Sequence, residues 1–206
     1  ERWLATQGFA VVTVDGRGQP GVSPSVDRAI RGDLAAGPLA DQVAGLHLAA
    51  AAFPGVLDLD RVGIRGWSFG GFLAALAVLR EPEIFHAAFA GAPVTDWSLY
   101  DTHYTERYLG HPDQEPTAYR NSSLLADAGR LRRPLMLVHG IADDNVFAAH
   151  TLRLSSELLA NGRPHSVLPL TGITHMSAQA DVTENLLRIE SGFFQEQLAE
   201  PIQNKG

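Results

Sequence analysis

The sequence predicts a mostly parallel α/β sheet, on three observations. Short apolar runs alternate with helical stretches, the pattern of strands joined by crossover helices. Gly66-Trp67-Ser68-Phe69-Gly70-Gly71 has Gly-x-Ser-x-Gly spacing where one such run meets an Ala- and Leu-rich helix. The 206 residues suit one core, and no repeat, low-complexity tract or linker divides them.

In chain order, Glu1–Gly8 reads as the end of a helix. Phe9-Ala10-Val11-Val12-Thr13-Val14-Asp15 reads as a central-type strand, apolar throughout, leading into Asp15-Gly16-Arg17-Gly18. Arg61–Trp67 is a short strand and Phe72–Leu79 a helix. Ala87–Gly91 is strand-like, which puts Pro93–Asp101 at the sheet's carboxyl edge. Pro134–Gly140, an apolar run ending in glycine, has the mark of a buried parallel strand, with Ile141–Val146 as its loop. A helix over about Ala148–Asn161, a strand over Ser166–Leu170 and a final helix over about Ala178–Leu198 complete the pattern.

Ser68 falls on the turn between strand and helix, where a sharp bend forces strained backbone and lifts the hydroxyl clear of the sheet. The competing reading is a glycine-rich turn with an incidental serine. A nucleophilic serine needs a base, and the base an orienting acid. Behind such an elbow the partners follow as acid and then histidine, each on a loop after a later strand. Of eight histidines, only His175 combines that order with a loop after the last strand. His47, His86, His103 and His111 precede the acid, and His150 falls inside a predicted helix. His165 lies before the last strand, and His139 ends a strand, where it supports the loop. A lone loop histidine is otherwise a solvated surface residue. The acid stays open on spacing alone: either Asp143 or Asp144 serves, and the other is a natural helix cap.

Four blocks together resemble the catalytic domain of prolyl oligopeptidase-family serine peptidases, closest to the dipeptidyl peptidase IV branch. They are Asp15–Gly18, Gly66–Gly71, Tyr104-Thr105-Glu106-Arg107-Tyr108-Leu109-Gly110 and His139-Gly140-Ile141-Ala142-Asp143-Asp144-Asn145-Val146. The likeness runs from about Trp3 to Phe194. It implies an α/β-hydrolase fold, a mostly parallel sheet with helices on both faces and its early strands missing from this chain. It also implies Ser68 as nucleophile, Asp143 as acid, His175 as base and the Phe69 N–H as an oxyanion donor. A proline slot is implied at Phe69, Val94, Trp97, Tyr100, Tyr104 and Val146, with Asn145 bonding the substrate backbone. Without that likeness the same aromatic cluster reads equally well as core. Phe69 stands where many relatives have Tyr, and the acidic residues often found before the histidine are lacking ahead of His175.

The implied activity is release of amino-terminal dipeptides from peptide substrates, after proline or alanine, with no cofactor. In the family, further strands, a β-propeller and a tyrosine oxyanion donor come earlier, and dimers form partly through the final helix. Residues 1–206 are therefore expected to be one peptidase catalytic domain, amino-terminally incomplete. The edge beside Phe9–Val14 is expected to pair with that earlier portion or with another copy.

Composition narrows the alternatives. A net charge of −7 with one short basic cluster, Arg130-Leu131-Arg132-Arg133, argues against nucleic acid as a partner. No apolar stretch is long enough to span a bilayer, and no His-x-x-x-His spacing supports a metal. The absence of cysteine excludes disulfides and thiol chemistry within these residues. Two other functions share the pattern: a carboxylesterase on the same fold, and an inactive piece that needs a partner segment.

Overall fold

Parallel strands can be joined only by long crossovers, and the chain supplies a helix for each. A computed structural model describes residues 1–199. It contains one four-stranded sheet in the order β1 (Gly63–Trp67), β2 (Ala87–Gly91), β3 (Leu135–Gly140), β4 (Ser166–Leu170), every pairing parallel. The helices are α1 (Arg2–Thr6), α2 (Pro24–Arg28), α3 (Ala36–Ala52) and α4 (Phe69–Arg80). They continue with α5 (Thr102–Leu109), α6 (Pro116–Asn121), α7 (Ala149–Ala160) and α8 (Ala180–Gln197). Helix α4 links β1 to β2, α5 and α6 lie between β2 and β3, and α7 links β3 to β4.

All five residues of β2 are buried, as a strand covered on both faces requires. Its side chains divide by alternation. Ala88 and Ala90 pack with α3, α4 and α7 through Leu39, Leu76 and Leu154, whereas Ala87 and Phe89 pack with Phe193 and Phe194 of α8. Helix α4 is apolar on every side and buried from Gly71 to Leu79, so its Ala and Gly residues serve close approach rather than amphipathic patterning. A Cβ on Gly71 would lie 2.2 Å from the Gly91 carbonyl oxygen, which fixes glycine at that helix–strand contact. On the other face, Arg65 of β1 pairs with the buried Glu190 carboxylate of α8.

The expected strand at Phe9–Val14 does not form. The segment runs without helix or strand structure, with Val11 and Val12 about two-fifths exposed (37% and 40%). Helix α3 holds one side of it: Gln42 donates to the Val14 carbonyl at 3.2 Å, and Val14 packs where a Cβ on Gly45 would be. On its other side lies a cavity of about 970 Å³, bounded across the gap by Val62, Ile64 and Arg65. β1 pairs with β2 alone among the described strands. The apolar sequence supplies strand propensity, but a ladder needs a neighbour within about 5 Å, and here a cavity intervenes.

Two glycines give a paired test of this packing. Gly71→Ala must displace backbone, so thermal or urea unfolding should show a loss of about 1–3 kcal/mol. Gly192→Ala, on the solvent-facing side of α8, meets open space and should gain about 0.5–1 kcal/mol.

Candidate active site

Ser68 has φ 59° and ψ −118°, a region that non-glycine residues avoid. It directly follows β1, accepts the Phe72 N–H as the first residue of the α4 turn and donates its own N–H to the Gly91 carbonyl at 2.9 Å. The glycines around it play unequal parts. A Cβ at Gly66 would sit 2.1 Å from the Gly70 carbonyl oxygen, whereas one at Gly70 would meet nothing within 4 Å. The steric demand therefore falls on Gly66 and Gly71, not on Gly70 as the Gly-x-Ser-x-Gly spacing alone implies. Phe69 opens α4, so its N–H is among those a helix leaves unpaired.

The loop after β3 answers which aspartate meets the histidine. Asp143 is 5% exposed and Asp144 is exposed. Asp143 Oδ2 accepts from His175 Nδ1 at 2.8 Å, while Oδ1 accepts the Asn145 and Val146 N–H groups, both at 2.9 Å. One carboxylate thus meets the histidine and closes its own loop, and neither aspartate caps α7, whose N-cap is Ala148. Ile141 and Ala142 donate to the Leu170 and Ile173 carbonyls, tying the acid loop to the loop that carries His175. Gly140 is needed there, because a Cβ would lie 2.4 Å from the Ile173 and Thr174 oxygens.

The third connection was not legible in the sequence. The Trp67 indole N–H donates to the His175 carbonyl at 2.7 Å, so the histidine's backbone is anchored to the residue preceding Ser68. Ser68 and His175 share no direct hydrogen bond among the described residues. Such contacts often tighten only when substrate is bound.

The aromatic cluster is both core and surface. Trp97, Val94 and Val146 are buried at 1% exposure or less and form its base. Trp97 stacks on Tyr104 at 5.9 Å, meets Tyr100 edge-on at 5.7 Å and lies 6.0 Å from Phe69. Tyr100 and Tyr104 are part-exposed above it, and the Tyr100 hydroxyl donates to Asn145 Oδ1 at 3.2 Å. Burial, with the neighbouring Tyr108 second, pushes the Tyr104 phenol up to about 12, so it stays neutral.

Behind the acid loop lies a buried polar layer that the sequence showed only in part. His139 Nε2 lies 2.7 Å from the Val146 carbonyl, as its loop-supporting assignment requires. His150, placed by sequence simply inside a helix, takes the Thr95 N–H on Nδ1 at 3.2 Å, while Thr95 Oγ1 donates to the His150 carbonyl at 2.7 Å. These bonds fasten α7 to the loop that carries Val94 and Trp97. Among the described residues no cluster of His, Asp and Glu is arranged to hold a metal, and no helix is long and apolar enough to cross a membrane.

Residues 1–201 match the prolyl oligopeptidase family. Dipeptidyl peptidase 8 of Mus musculus is 42% identical over 167 residues, which cover 80% of this chain and 19% of that protein. The Homo sapiens dipeptidyl peptidase 8 is likewise 42% identical, with 18% of its length covered. The crystal structure of Porphyromonas gingivalis dipeptidyl peptidase 4 superposes with a TM-score of 0.82 at 30% identity, over 89% of this chain and 26% of that one. The chain thus spans about a fifth of the length of these curated relatives, and its fold is that of an α/β-hydrolase catalytic domain.

The buried layer predicts a pH dependence of stability. Burial lowers the His150 pKa to about 4, against an ordinary value near 6.5. The unfolded chain therefore takes up this proton at a higher pH than the folded one, and stability falls as pH drops from about 6.5 to 4. The loss is on the order of 3 kcal/mol by linkage. His150→Asn, which keeps an acceptor for Thr95, should flatten the denaturation midpoint over that window. An unchanged slope would place the titrating group elsewhere.

Proposed function

The chain belongs to the prolyl oligopeptidase family, and from that premise we propose that it carries the catalytic centre of a serine peptidase. The proposed reaction releases amino-terminal dipeptides from peptides, preferably after proline and less readily after alanine. The observation that carries this reading is the 2.8 Å bond from His175 Nδ1 to Asp143, with the His175 carbonyl tied through Trp67 to the strained Ser68 turn. Dipeptidyl peptidases among the relatives support the same reading.

In this mechanism Ser68 Oγ attacks the scissile carbonyl and His175 Nε2 takes its proton. Asp143 holds the tautomer with its proton on Nδ1 and stabilises the imidazolium. The Phe69 N–H, at the positive end of α4, offers a hydrogen bond to the developing oxyanion. The imidazolium then gives its proton to the leaving amine. Water repeats the sequence to release the dipeptide from Ser68. The residue before the cut is assigned to the Tyr100–Tyr104 surface above Trp97, and Asn145 to its backbone.

Two further assignments rest on the same resemblance. Residues 1–206, of which 200–206 lie outside the described residues, are assigned to one catalytic domain, and the gap between residues 9–14 and β1 is assigned to an extended segment of the same protein. Self-association is assigned to α8, whose Ile189 is 43% exposed.

Ser68→Ala and His175→Ala should each lower turnover of a proline dipeptide anilide by roughly three to six orders of magnitude, with the double variant no worse than either. A fluorophosphonate probe should react with the parent and not with Ser68→Ala. Persistent labelling of that variant would remove Ser68 from the reaction.

Specificity gives a separate test. One missing or extra methylene in an apolar slot is worth about 1–3 kcal/mol, so a ring gains more from a complete wall than a methyl does. Tyr104→Ala should therefore reduce kcat/KM for proline substrates more than for alanine ones. Equal losses on both would make Tyr104 structural.

A further inference from the structure

The proposed chemistry uses one histidine, yet a second lies against the same carboxylate. His139 ends β3 and is 1% exposed. Its Nε2 is 2.7 Å from the Val146 carbonyl and 3.4 Å from Asp143 Oδ2, the oxygen that also meets His175. Its Nδ1 is 2.7 Å from the hydroxyl of Thr151, itself 1% exposed in the first turn of α7. A carbonyl can only accept, so Nε2 carries the proton. Burial disfavours a second proton and pushes the His139 pKa down, which leaves Nδ1 as acceptor and the Thr151 hydroxyl as its donor.

We propose, on the reading that Asp143 and His175 act together, that His139 is a positioning residue for Asp143 and that Thr151 fixes its tautomer. The Nε2–H is aimed between the Val146 carbonyl and Asp143 Oδ2. It thereby holds both ends of the short loop whose own N–H groups at Asn145 and Val146 grip Oδ1. With the other tautomer, a lone pair would face both the carbonyl and the carboxylate, and Oδ2 would lose its fixed direction toward His175. Thr151 prevents this by presenting its hydroxyl proton to Nδ1. The titratable groups around His139 are Asp143 and His175 on the two loops and His150 on α7. The ring position is therefore set by the helix that follows the acid loop, not by the loop alone.

The test measures the rate of fluorophosphonate labelling against pH in the intact protein, with Ser68→Ala as the unreactive control. His139→Leu should slow labelling about ten- to a hundredfold, the scale of a small misplacement of a catalytic group. Its half-maximal rate should also move to lower pH, because an imidazolium less firmly held by Asp143 releases its proton more easily. His139→Gln, whose amide N–H₂ reaches the Nε2 position, should restore most of the rate. Thr151→Val should show part of the loss and Thr151→Ser none. A His139→Leu protein with parent rate and pH profile would overturn the proposal. If that variant does not fold, equal behaviour of Thr151→Val and Thr151→Ser would overturn it instead. Labelling of Ser68→Ala would defeat the underlying reading, whereas an inert Ser68→Ala beside an unaffected His139→Leu would defeat this inference alone.

Discussion

The Asp143 carboxylate is the constraint on which the rest of the site hangs. Two N–H groups of its own loop saturate Oδ1, and Oδ2 is turned to His175. A carboxylate buried at 5% exposure is tolerable only with such bonding, because an unpaired buried charge would cost several kcal/mol. The requirement works in both directions. The loop must take this shape to solvate the charge, and the charge must sit here for the loop to hold. The same contacts bring Val146 down into the core at full burial, where it backs Trp97 and the tyrosines above it. Acid loop and aromatic surface are thus one packed unit.

Parallel register brings the remaining parts together. Because all four strands run the same way, Trp67-Ser68, the loop after Gly91, Asp143 and His175 all emerge at one edge of the sheet. Strain is stored at that edge. Ser68 and Ala92, the non-glycine residues with positive φ among those described, each directly follow a strand. Their conformations are enforced by close contacts rather than by local preference: Ser68 N–H to the Gly91 carbonyl, Ala92 N–H to the Val138 carbonyl at 2.7 Å, and Gly71 pressed on Gly91. Strain held by a close-packed scaffold keeps the Ser68 hydroxyl in place, as the proposed chemistry requires.

Much of this was legible in the sequence, and the reasons differ by element. β2 and β4 were read with the boundaries they have, since short apolar runs between turn residues carry a strong local signal. Asp143 became the acid only through family resemblance, because spacing cannot tell a buried carboxylate from the solvated one beside it. Phe9–Val14 failed as a strand because apolar sequence encodes a preference for a sheet while a ladder depends on a distant neighbour. Trp67 to His175 and His150 to Thr95 join residues 108 and 55 positions apart, and no periodicity reports such pairs. The glycine rule was right in kind but misplaced: the demand at Gly71 comes from β2, which the local motif does not contain.

One carboxylate, Asp143, both shapes its loop and, in the proposed mechanism, orients the base. Asp143→Asn tests this, because an amide keeps an oxygen for the two loop N–H groups and puts a neutral N–H₂ donor where the accepting oxygen faced His175. In the intact protein its fluorophosphonate labelling rate should fall by about three to four orders of magnitude with an unchanged unfolding midpoint, while Asp144→Asn labels like the parent. Parent-like labelling of Asp143→Asn together with loss in Asp144→Asn would give the acid's role to Asp144.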